Sequence, residues 1–249
     1  MTHFHRSLLA VVVGAGLVAC ARSDTPARTP DAPSVAATPA AAVTTSVDGS
    51  VGPAIPSGLP RDSVTDRADR GRITGDENAK IWVVMISDFQ CPFCKQWHDA
   101  SFDKVLHDYA DKGKIRLAFI NFPLNIHPNA VPAAEAAMCA SVQNKFWPMH
   151  EALFAQQQQW AVLPNPSAKL ESIAASVPGI NMATWKACVA KHSTLPLIEA
   201  DHDRWRGVGI GSTPAFSVNG KLLTKPDGSA PGADADVVGA IEAALKTQR

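Results

Sequence analysis

Two cysteines three positions apart form the motif Cys91-Pro92-Phe93-Cys94. A short apolar run precedes this motif and a helical pattern follows it, so Cys91 is expected at the start of a helix. Free backbone N–H groups and the positive end of the helix dipole stabilise a thiolate at that position and lower the pKa of the thiol. Cys91 is therefore predicted to be nucleophilic. Cys94, one turn further on, is predicted to be more buried and to resolve a mixed disulfide.

The same cysteine pair has two other interpretations. It could form half of a zinc site, but a structural zinc site needs four ligands, and the sequence has no second pair with this spacing. It could also form an inert structural disulfide. The expected position between a strand and a helix favours redox chemistry over both.

A strand, a helix and a second strand are predicted around the motif. Ile81–Ser87 is a short apolar, β-branched run of strand length, and Lys114–Phe122 alternates as a strand does. Cys91–Ala110 between them changes to helical spacing, with one apolar face formed by Phe102, Val105, Leu106 and Tyr109. This order indicates a βαβ unit with a parallel strand pair, which implies an α/β fold.

The rest of the chain continues with a helical block, a hairpin and a helix. Residues 130–206 have a helical pattern throughout. Within them the run Gln156–Gln159 is interpreted as a solvated helix face or as a local compositional bias. A strand at Ala215–Val218, a tight turn at Asn219-Gly220 and a second strand at Lys221–Thr224 predict the hairpin. The last helix is expected after an N-cap at Asp234 or Asp236 and has an apolar face formed by Val237, Val238, Ile241 and Leu245.

Composition and charge exclude several classes of protein. Apolar residues make up 46% of the 249 residues, enough for one sizeable folded domain. The 23 Lys and Arg residues balance 23 Asp and Glu residues. This balance removes the basic footprint of a nucleic-acid binder and any broad attraction to an anionic membrane, so no nucleic-acid partner is expected.

The first residues have the pattern of an export signal. A short head with Arg6 and no acid precedes the apolar run Leu8–Ala19, which is too short to span a bilayer. The run ends in Leu17-Val18-Ala19-Cys20, which is similar to the lipobox of bacterial lipoproteins. Residues 1–19 are therefore predicted to be a lipoprotein signal, with Cys20 lipidated. The alternative is an ordinary signal peptide cleaved near Ala19 to Ala21.

Residues 20–70 are expected to form a disordered tether rich in proline and alanine. Between Ala21 and Pro60 there are seven prolines, nine alanines and no aromatic residue. A segment with so few large apolar groups cannot offset the entropy lost when its backbone is ordered. The folded domain is predicted to occupy residues 71–249.

Two distant motifs together resemble the DsbA-like branch of the thioredoxin superfamily. The first is Ser87-Asp88-Phe89-Gln90 followed by the cysteine motif, and the second is the run from Gly211-Ser212-Thr213-Pro214 to Asn219-Gly220. The resemblance covers about Gly71 to Arg249. It implies a thioredoxin fold with an inserted helical domain at about residues 130–206.

The resemblance also implies an activity. A member of this branch is a thiol-disulfide oxidoreductase that needs no cofactor and exchanges disulfides with exported proteins. A membrane redox partner of unknown type is expected. The predicted lipoprotein signal places the chain in the periplasm or at the cell surface, with only a lipid anchor in the membrane. The resemblance implies a cis Thr213-Pro214 peptide facing the redox pair, with the Thr213 backbone pairing to the substrate chain.

Pro92 and Phe93 are the positions expected to tune the redox pair. DsbA itself carries a histidine in place of Phe93, and that residue stabilises the reduced thiolate. Phe93 offers no comparable hydrogen bond, so a less stabilised Cys91 thiolate and a less oxidising couple are predicted. Asp88 is a candidate for the acid that thioredoxin relatives often carry near the redox pair, and a capping or turn role is equally compatible with its position.

A second cysteine pair, Cys139 and Cys188, lies within the helical block. Related exported proteins often have a second, non-catalytic disulfide here, so the resemblance implies that the two are joined. The alternative is two buried thiols that behave as small apolar side chains.

Two other functions are compatible with the sequence. His98 follows Cys94 by four residues and could reach toward it, which allows a copper or zinc delivery module that uses Cys91 and Cys94, with or without His98. A lone helical histidine is more often a surface or packing residue, and the interpretation preferred here assigns no metal. The other rival is a thioredoxin-like scaffold whose disulfide is only structural.

Overall fold

A five-stranded mixed sheet forms the centre of the fold. The computed structural model describes residues 63–225 and 228–248. The strands lie in the order β1-β3-β2-β4-β5. Their bounds are β1 Ile73–Gly75, β2 Trp82–Ser87, β3 Arg116–Asn121, β4 Ala215–Val218 and β5 Lys221–Leu222.

The central strands β2 and β3 are parallel, as the βαβ pattern predicts. Their register runs from Trp82 opposite Arg116 to Ser87 opposite Asn121. Both strands are buried over most of their length, which explains their nearly continuous apolar sequences. The strands β1 and β4 flank this pair in antiparallel orientation. The carboxyl ends of β2 and β3 therefore meet at one edge of the sheet, where the cysteine motif begins.

The helices follow the predicted order. Their bounds are α1 Val64–Gly71, α2 Pro92–Trp97, α3 Asp103–Val105, α4 Ala130–Ser141, α5 Phe146–Ala155, α6 Gln157–Trp160, α7 Ser167–Ser176, α8 Met182–Ala190, α9 Leu195–Gly207 and α10 Val237–Thr247. Two π-helical turns, His98–Phe102 and Leu106–Ala110, join with α2 and α3 into one helical stretch. The predicted helix over residues 91–110 is thus confirmed, but it is widened locally at these turns.

The helical block between β3 and β4 is an insertion built from α4 to α9. Alanines dominate α4 and are buried along most of its length, so other helices pack closely against it. The apolar residues of α5 that share a face in the sequence, Phe146, Leu153 and Phe154, are buried. The insertion spans Ala130 to Gly207, which agrees with the predicted residues 130–206.

The C-terminal part completes the sheet and covers one of its faces. Asn219 and Gly220 have positive φ angles of 49° and 79°, which suit the tight hairpin turn that their sequence predicts. The second hairpin strand is shorter than predicted, since β5 ends at Leu222. The Asp236 side chain accepts a hydrogen bond from the Gly239 N–H and caps α10, so of the two proposed caps it is Asp236 that acts.

The structure corrects the C-terminal boundary of the predicted tether. Residues 64–71 form α1, and Ile73–Gly75 form the edge strand β1. A buried side chain explains why this segment is folded, since Arg72 donates hydrogen bonds to Asp69 and to Asp201 of α9. The predicted signal at residues 1–19, the lipidation site Cys20 and the tether up to residue 62 lie outside the described residues.

No helix of the described part of the chain is long and apolar enough to cross a membrane.

Candidate redox site

The cysteine motif lies at the junction between β2 and α2. After Ser87 the chain turns, and the Cys91 N–H donates to the Asp88 carbonyl over 3.1 Å. Cys91 has extended φ and ψ angles of −66° and 124° and occupies the N-cap position, with Pro92 as the first helical residue. Proline is favourable there because the first helical N–H groups have no partner within the helix. The structure therefore places the Cys91 side chain at the helix start.

The two sulfurs have different surroundings. Cys91 and Cys94 are both buried, free thiols. The Cys91 Sγ lies 3.5 Å from the carbonyl oxygen of Thr213, and the Cys94 Sγ accepts from the Asp88 N–H at 3.5 Å. Cys91 thus faces a residue 122 positions away in sequence, whereas Cys94 lies under the loop that precedes the motif.

These surroundings shift the two thiol pKa values in opposite directions. The pKa of Cys91 is lowered from 9.0 to about 6, first by a hydrogen bond from Cys94 and then by Thr213 and the backbone N–H groups of Phe93 and Cys94, against the effect of burial. The pKa of Cys94 is raised well above 9.0, first by burial and then by Cys91. Near neutral pH the reduced site therefore holds a thiolate at Cys91 and a thiol at Cys94.

The Thr213-Pro214 motif lies next to the cysteine motif at one edge of the sheet. Thr213-Pro214 is a cis peptide bond, and both residues are buried directly before β4. Because β4 pairs with β2, the loop before β4 and the loop after β2 lie at the same edge. The fold thereby brings together the two motifs that carry the family resemblance.

The residues between the cysteines form an apolar surface beside the site. Pro92 is exposed, and Phe93 is 59% exposed. The phenyl ring has no polar atom that could donate to a thiolate. The lowered pKa of Cys91 accordingly owes nothing to the Phe93 side chain.

Asp88 is a hydrogen-bond acceptor that fixes the loop before the motif. Its carboxylate accepts from the Gln90 N–H at 2.7 Å and from the Leu124 N–H at 2.9 Å. The His127 Nδ1 lies 2.6 Å from the same carboxylate. The Asp88 side chain is fully buried, and it joins the end of β2 to the loop after β3. These contacts describe the turn role that was considered for Asp88.

Gln157 is a site residue that the sequence pattern failed to indicate. Its side-chain amide donates to the Phe89 carbonyl at 2.7 Å and to the Cys91 carbonyl at 3.0 Å. The interpretation of Gln156–Gln159 as a solvated face is therefore wrong for this residue, which is buried, although Gln158 and Gln159 are exposed. A buried glutamine among exposed ones has no local signal. Only its contact with residues 88–91, the loop between β2 and α2 that we call the cysteine loop, distinguishes it.

Gln90 and Asn129 form a second link between the cysteine loop and the helical insertion. The Asn129 N–H donates to the Gln90 side chain at 2.6 Å, and the Gln90 amide donates to the Ala161 carbonyl at 2.8 Å. The Asn129 amide also donates to the Leu163 carbonyl at 2.8 Å. The helical insertion is thus hydrogen-bonded to the cysteine loop at several points.

The second cysteine pair is joined and lies within the insertion. Cys139 on α4 and Cys188 on α8 form a disulfide with a Cα–Cα distance of 5.7 Å, so the alternative of two buried thiols does not describe this structure. Closing a loop over the sequence separation of 49 residues stabilises the fold by about 4 kcal/mol in the entropic account.

His98 does not join the cysteines in a metal-binding cluster. Among the described residues, the group of three or more potential ligands that converges is His98, His150 and Glu151. The copper or zinc module that uses Cys91, Cys94 and His98 is therefore not supported by the arrangement of these side chains.

A family model, a curated relative and a solved structure are all similar to this chain and agree on its family. A family model described as thioredoxin matches residues 67–232. Disulfide bond formation protein D of Bacillus subtilis (strain 168) is 30% identical over 156 residues, which cover 61% of this chain and 68% of that protein. The crystal structure of oxidised BdbD from Bacillus subtilis has a TM-score of 0.58 at 26% identity and covers 71% of this chain and 94% of that one.

A further solved structure supports the fold alone. Wolbachia pipientis alpha-DsbA1 has a TM-score of 0.59 at 22% identity, with 71% of this chain and 90% of that chain covered. Together with the sheet order and the position of the insertion, these similarities confirm the predicted thioredoxin fold with an inserted helical domain.

Proposed function

We propose, since the chain belongs to the thioredoxin family, that it exchanges disulfides with exported proteins outside the cytoplasm through Cys91 and Cys94. The chain is a protein-disulfide oxidoreductase with a DsbA-like fold. The observation that carries the choice of residues is the position of the Cys91 sulfur. It lies at the start of α2 and 3.5 Å from the Thr213 carbonyl.

The oxidising direction begins from a Cys91–Cys94 disulfide. A substrate thiolate attacks the Cys91 sulfur, a bond forms between the two, and Cys94 leaves as a thiolate. Its raised pKa favours uptake of a proton. A second substrate thiolate then attacks the substrate sulfur of the mixed disulfide, and Cys91 leaves as a thiolate. The substrate loses two electrons and two protons, and the enzyme's disulfide becomes the dithiol.

The reducing direction uses the same atoms in reverse. The Cys91 thiolate attacks a substrate disulfide and forms the mixed disulfide, and one substrate thiolate leaves. Cys94 then loses its proton, attacks the Cys91 sulfur and releases the second substrate thiolate. The lowered pKa of Cys91 serves both directions, because it supplies an attacking thiolate in one and a good leaving group in the other.

The substrate chain lies along Thr213 and Pro214. Thr213 is beside the Cys91 sulfur and directly before β4, so a substrate strand paired with its backbone would present a sulfur to Cys91. The exposed Phe93 ring adds an apolar contact for the substrate. Because Pro92 and Phe93 supply no side-chain donor to the thiolate, the couple is less oxidising than that of DsbA.

Export and anchoring complete the proposed organisation. Residues 1–19 are the lipoprotein signal, Cys20 carries the lipid, and the tether ends before α1, so that the folded domain begins near Ser63. The sequence pattern of residues 1–20 supports the anchor. The Cys139–Cys188 disulfide supports an oxidising compartment, the periplasm or the cell surface. A membrane redox partner returns the Cys91–Cys94 pair to its working state.

Single cysteine replacements test the mechanism. Cys91→Ser is expected to abolish disulfide exchange with a reduced or scrambled test protein, because no other sulfur has its position. Cys94→Ser is expected to accumulate mixed disulfides with the substrate, because the resolving thiol is missing. Non-reducing electrophoresis and mass spectrometry detect these adducts.

A matched control uses the other cysteine pair. The double variant Cys139→Ala with Cys188→Ala should keep the exchange activity below its unfolding temperature, since this pair lies within the insertion. Turnover retained by Cys91→Ser, or equal loss of activity in the control while it remains folded, would contradict the assignment.

A further inference from the structure

Two imidazoles and a carboxylate converge on the side of the active-site helical stretch that faces α5. His98 begins the first π-helical turn after α2, and His150 and Glu151 are neighbours on α5. The His98 Nε2 lies 3.3 Å from the Glu151 Oε1, and the His150 Nδ1 lies 3.6 Å from the same oxygen. One potential ligand atom from each of the three residues falls within 4.8 Å of the others.

Two of these separations are close to the edge length of a tetrahedral coordination shell. Zinc binds imidazole nitrogen and carboxylate oxygen at about 2.0–2.2 Å, so two ligand atoms on one tetrahedral zinc ion lie roughly 3.3–3.5 Å apart. The two nitrogen-to-oxygen distances observed, 3.3 and 3.6 Å, are close to this value. The third separation, between the two imidazoles, is within 4.8 Å, so a cation between the three groups requires side-chain adjustment mainly along this edge.

His150 is a buried polar side chain without a hydrogen-bond partner. It is 0% exposed, and neither of its ring nitrogens has a partner within hydrogen-bond distance. Its ring is enclosed by aromatic side chains, which are Phe89, Phe102, Phe119, Phe146, Trp147 and Phe154. A buried, unsatisfied imidazole is unfavourable. It becomes favourable when one nitrogen coordinates a cation.

The environment of His98 orients its other nitrogen toward the same point. Its Nδ1 lies 3.3 Å from the carboxylate of Asp99, the contact that in metal sites fixes the tautomer of a ligating histidine. With the proton on Nδ1, the lone pair of Nε2 faces the Glu151 carboxylate. Two electron-rich groups in this arrangement need a proton or a metal ion between them.

We propose that His98, His150 and Glu151 form a zinc site that is separate from the dithiol. Two histidines and one carboxylate are a ligand set that zinc uses with water in the fourth position. Glu151 is 42% exposed on its side chain, which gives the ion an entry path and leaves room for that water. The apolar rings around His150 form the low-dielectric shell that such a site requires.

The charge states of His150 and Glu151 agree with this assignment. Burial lowers the pKa of His150 to about 4, so its imidazole is neutral and has a free lone pair near neutral pH. Burial acts to raise the pKa of Glu151, but the neighbouring imidazoles outweigh it and lower the pKa to about 2. A neutral imidazole and a carboxylate are the forms that bind a metal ion.

The site would link the active-site helix to the insertion. The His98 N–H donates to the carbonyls of Cys94 and Lys95, so His98 directly continues the helix that carries the redox pair. Zinc bound to His98 and to α5 would join these two elements at one more point. Neither Cys91 nor Cys94 belongs to the cluster, so zinc bound there would leave both thiols free for disulfide exchange.

Zinc binding to the oxidised full-length protein tests the proposal. Any thiol that remains is alkylated, so that sulfur does not contribute. Equilibrium dialysis against Zn²⁺, with metal quantified by mass spectrometry, should find about one ion per chain. His98→Gln and Glu151→Gln should each weaken binding at least ~10-fold, since even outer partners of metal ligands contribute this much. Co²⁺ should give the visible absorption of a tetrahedral site.

The control variant is His107→Gln. His107 belongs to the same helical stretch, and its Nδ1 lies 2.7 Å from the Asp111 carboxylate, but it is not one of the three residues of the cluster. Its zinc affinity should equal that of the wild type. Far-UV circular dichroism and disulfide exchange confirm that each variant is folded, and the partly exposed Glu151 makes Glu151→Gln the mildest change.

Three outcomes would overturn the proposal. The first is less than stoichiometric zinc on the wild-type protein. The second is unchanged affinity in both His98→Gln and Glu151→Gln. The third is an equal loss of affinity in His107→Gln, which would indicate adventitious surface binding. None of these outcomes bears on the role of Cys91 and Cys94, whose exchange activity is measured separately.

Discussion

Cys91 and Cys94 are identical thiols three positions apart, and the fold gives them opposite acidities. Cys91 receives a hydrogen bond from Cys94 and lies beside Thr213, which lowers its pKa to about 6, whereas burial dominates at Cys94 and raises its pKa. The predicted position of Cys91 at the start of a helix indicates the same direction for its pKa. The contribution of Thr213 depends on the tertiary fold, because the two residues are 122 positions apart.

The lowered pKa of Cys91 predicts a pH-dependent stability of the reduced protein. A group whose folded pKa of about 6 lies below its ordinary value of 9.0 contributes stability that is present above pH 9 and is lost as the pH falls through 6. The free energy of unfolding of reduced wild type minus that of reduced Cys91→Ser should therefore rise from pH 6 to pH 8. Urea titrations at several pH values in one reductant measure this difference.

The thiolate absorbance at 240 nm provides an independent check of the same prediction. Its midpoint in reduced wild type should lie near pH 6, and the signal should be absent in Cys91→Ser over this range, because Cys94 stays protonated. A flat stability difference between pH 6 and pH 8, with a midpoint near 9, would show that the site does not stabilise the thiolate.

At the scale of elements, local patterns predict the strands and helices better than they predict the loop that carries the chemistry. The strand β2, the helix after Cys91, β4 and the Asn219-Gly220 turn all follow from spacing and turn chemistry. Gln157 does not, because its burial depends on the carbonyls of Phe89 and Cys91. The helical insertion supplies this contact, and no pattern within the Gln156–Gln159 run records it.

Gln157→Ala is predicted to destabilise the folded protein through the cysteine loop. The replacement removes the side-chain amide that donates to two buried carbonyls. The Phe89 carbonyl loses this donor, whereas the Cys91 carbonyl keeps the Lys95 N–H. An unsatisfied buried acceptor costs about 1–3 kcal/mol. Gln158 is exposed, so Gln158→Ala on the same short helix should change the free energy of unfolding by less than about 0.5 kcal/mol. Urea denaturation of the oxidised proteins compares the two variants, and equal values would mean that the Gln157 contacts contribute nothing.

At the scale of the whole molecule, the folded unit begins earlier than composition predicts. The segment before Gly71 has mixed charges and resembles a continuation of the tether, yet α1 packs against α4. Ala68 is 0% exposed, and its carbonyl accepts from the Ser141 hydroxyl at 2.6 Å. Charged residues are read as solvated unless their partners are known, and the partner of Arg72 on α9 is 129 positions away. Distant charge pairing is therefore the information that local sequence lacks.

Replacement of Arg72 tests whether the buried cluster of Arg72, Asp69 and Asp201 holds α1 against the rest of the fold. Its guanidinium is buried and donates to Asp69 at 2.9 Å and to Asp201 at 3.0 Å, with a further contact to each carboxylate. Arg72→Met would leave two buried carboxylates without a counter-charge, and breaking such a cluster costs about 3–5 kcal/mol.

The neighbouring Arg70 offers the matched control for this replacement. It pairs with Asp66 within α1, where its own side chain is 51% exposed and that of Asp66 is 6% exposed. Arg70→Met should therefore cost less than Arg72→Met, because one buried carboxylate loses its counter-charge instead of two. Urea denaturation followed by circular dichroism gives both values. A cost for Arg72→Met as small as that for Arg70→Met would show that apolar packing alone holds α1, because the unpaired carboxylates would then have found water or protons without loss of the fold.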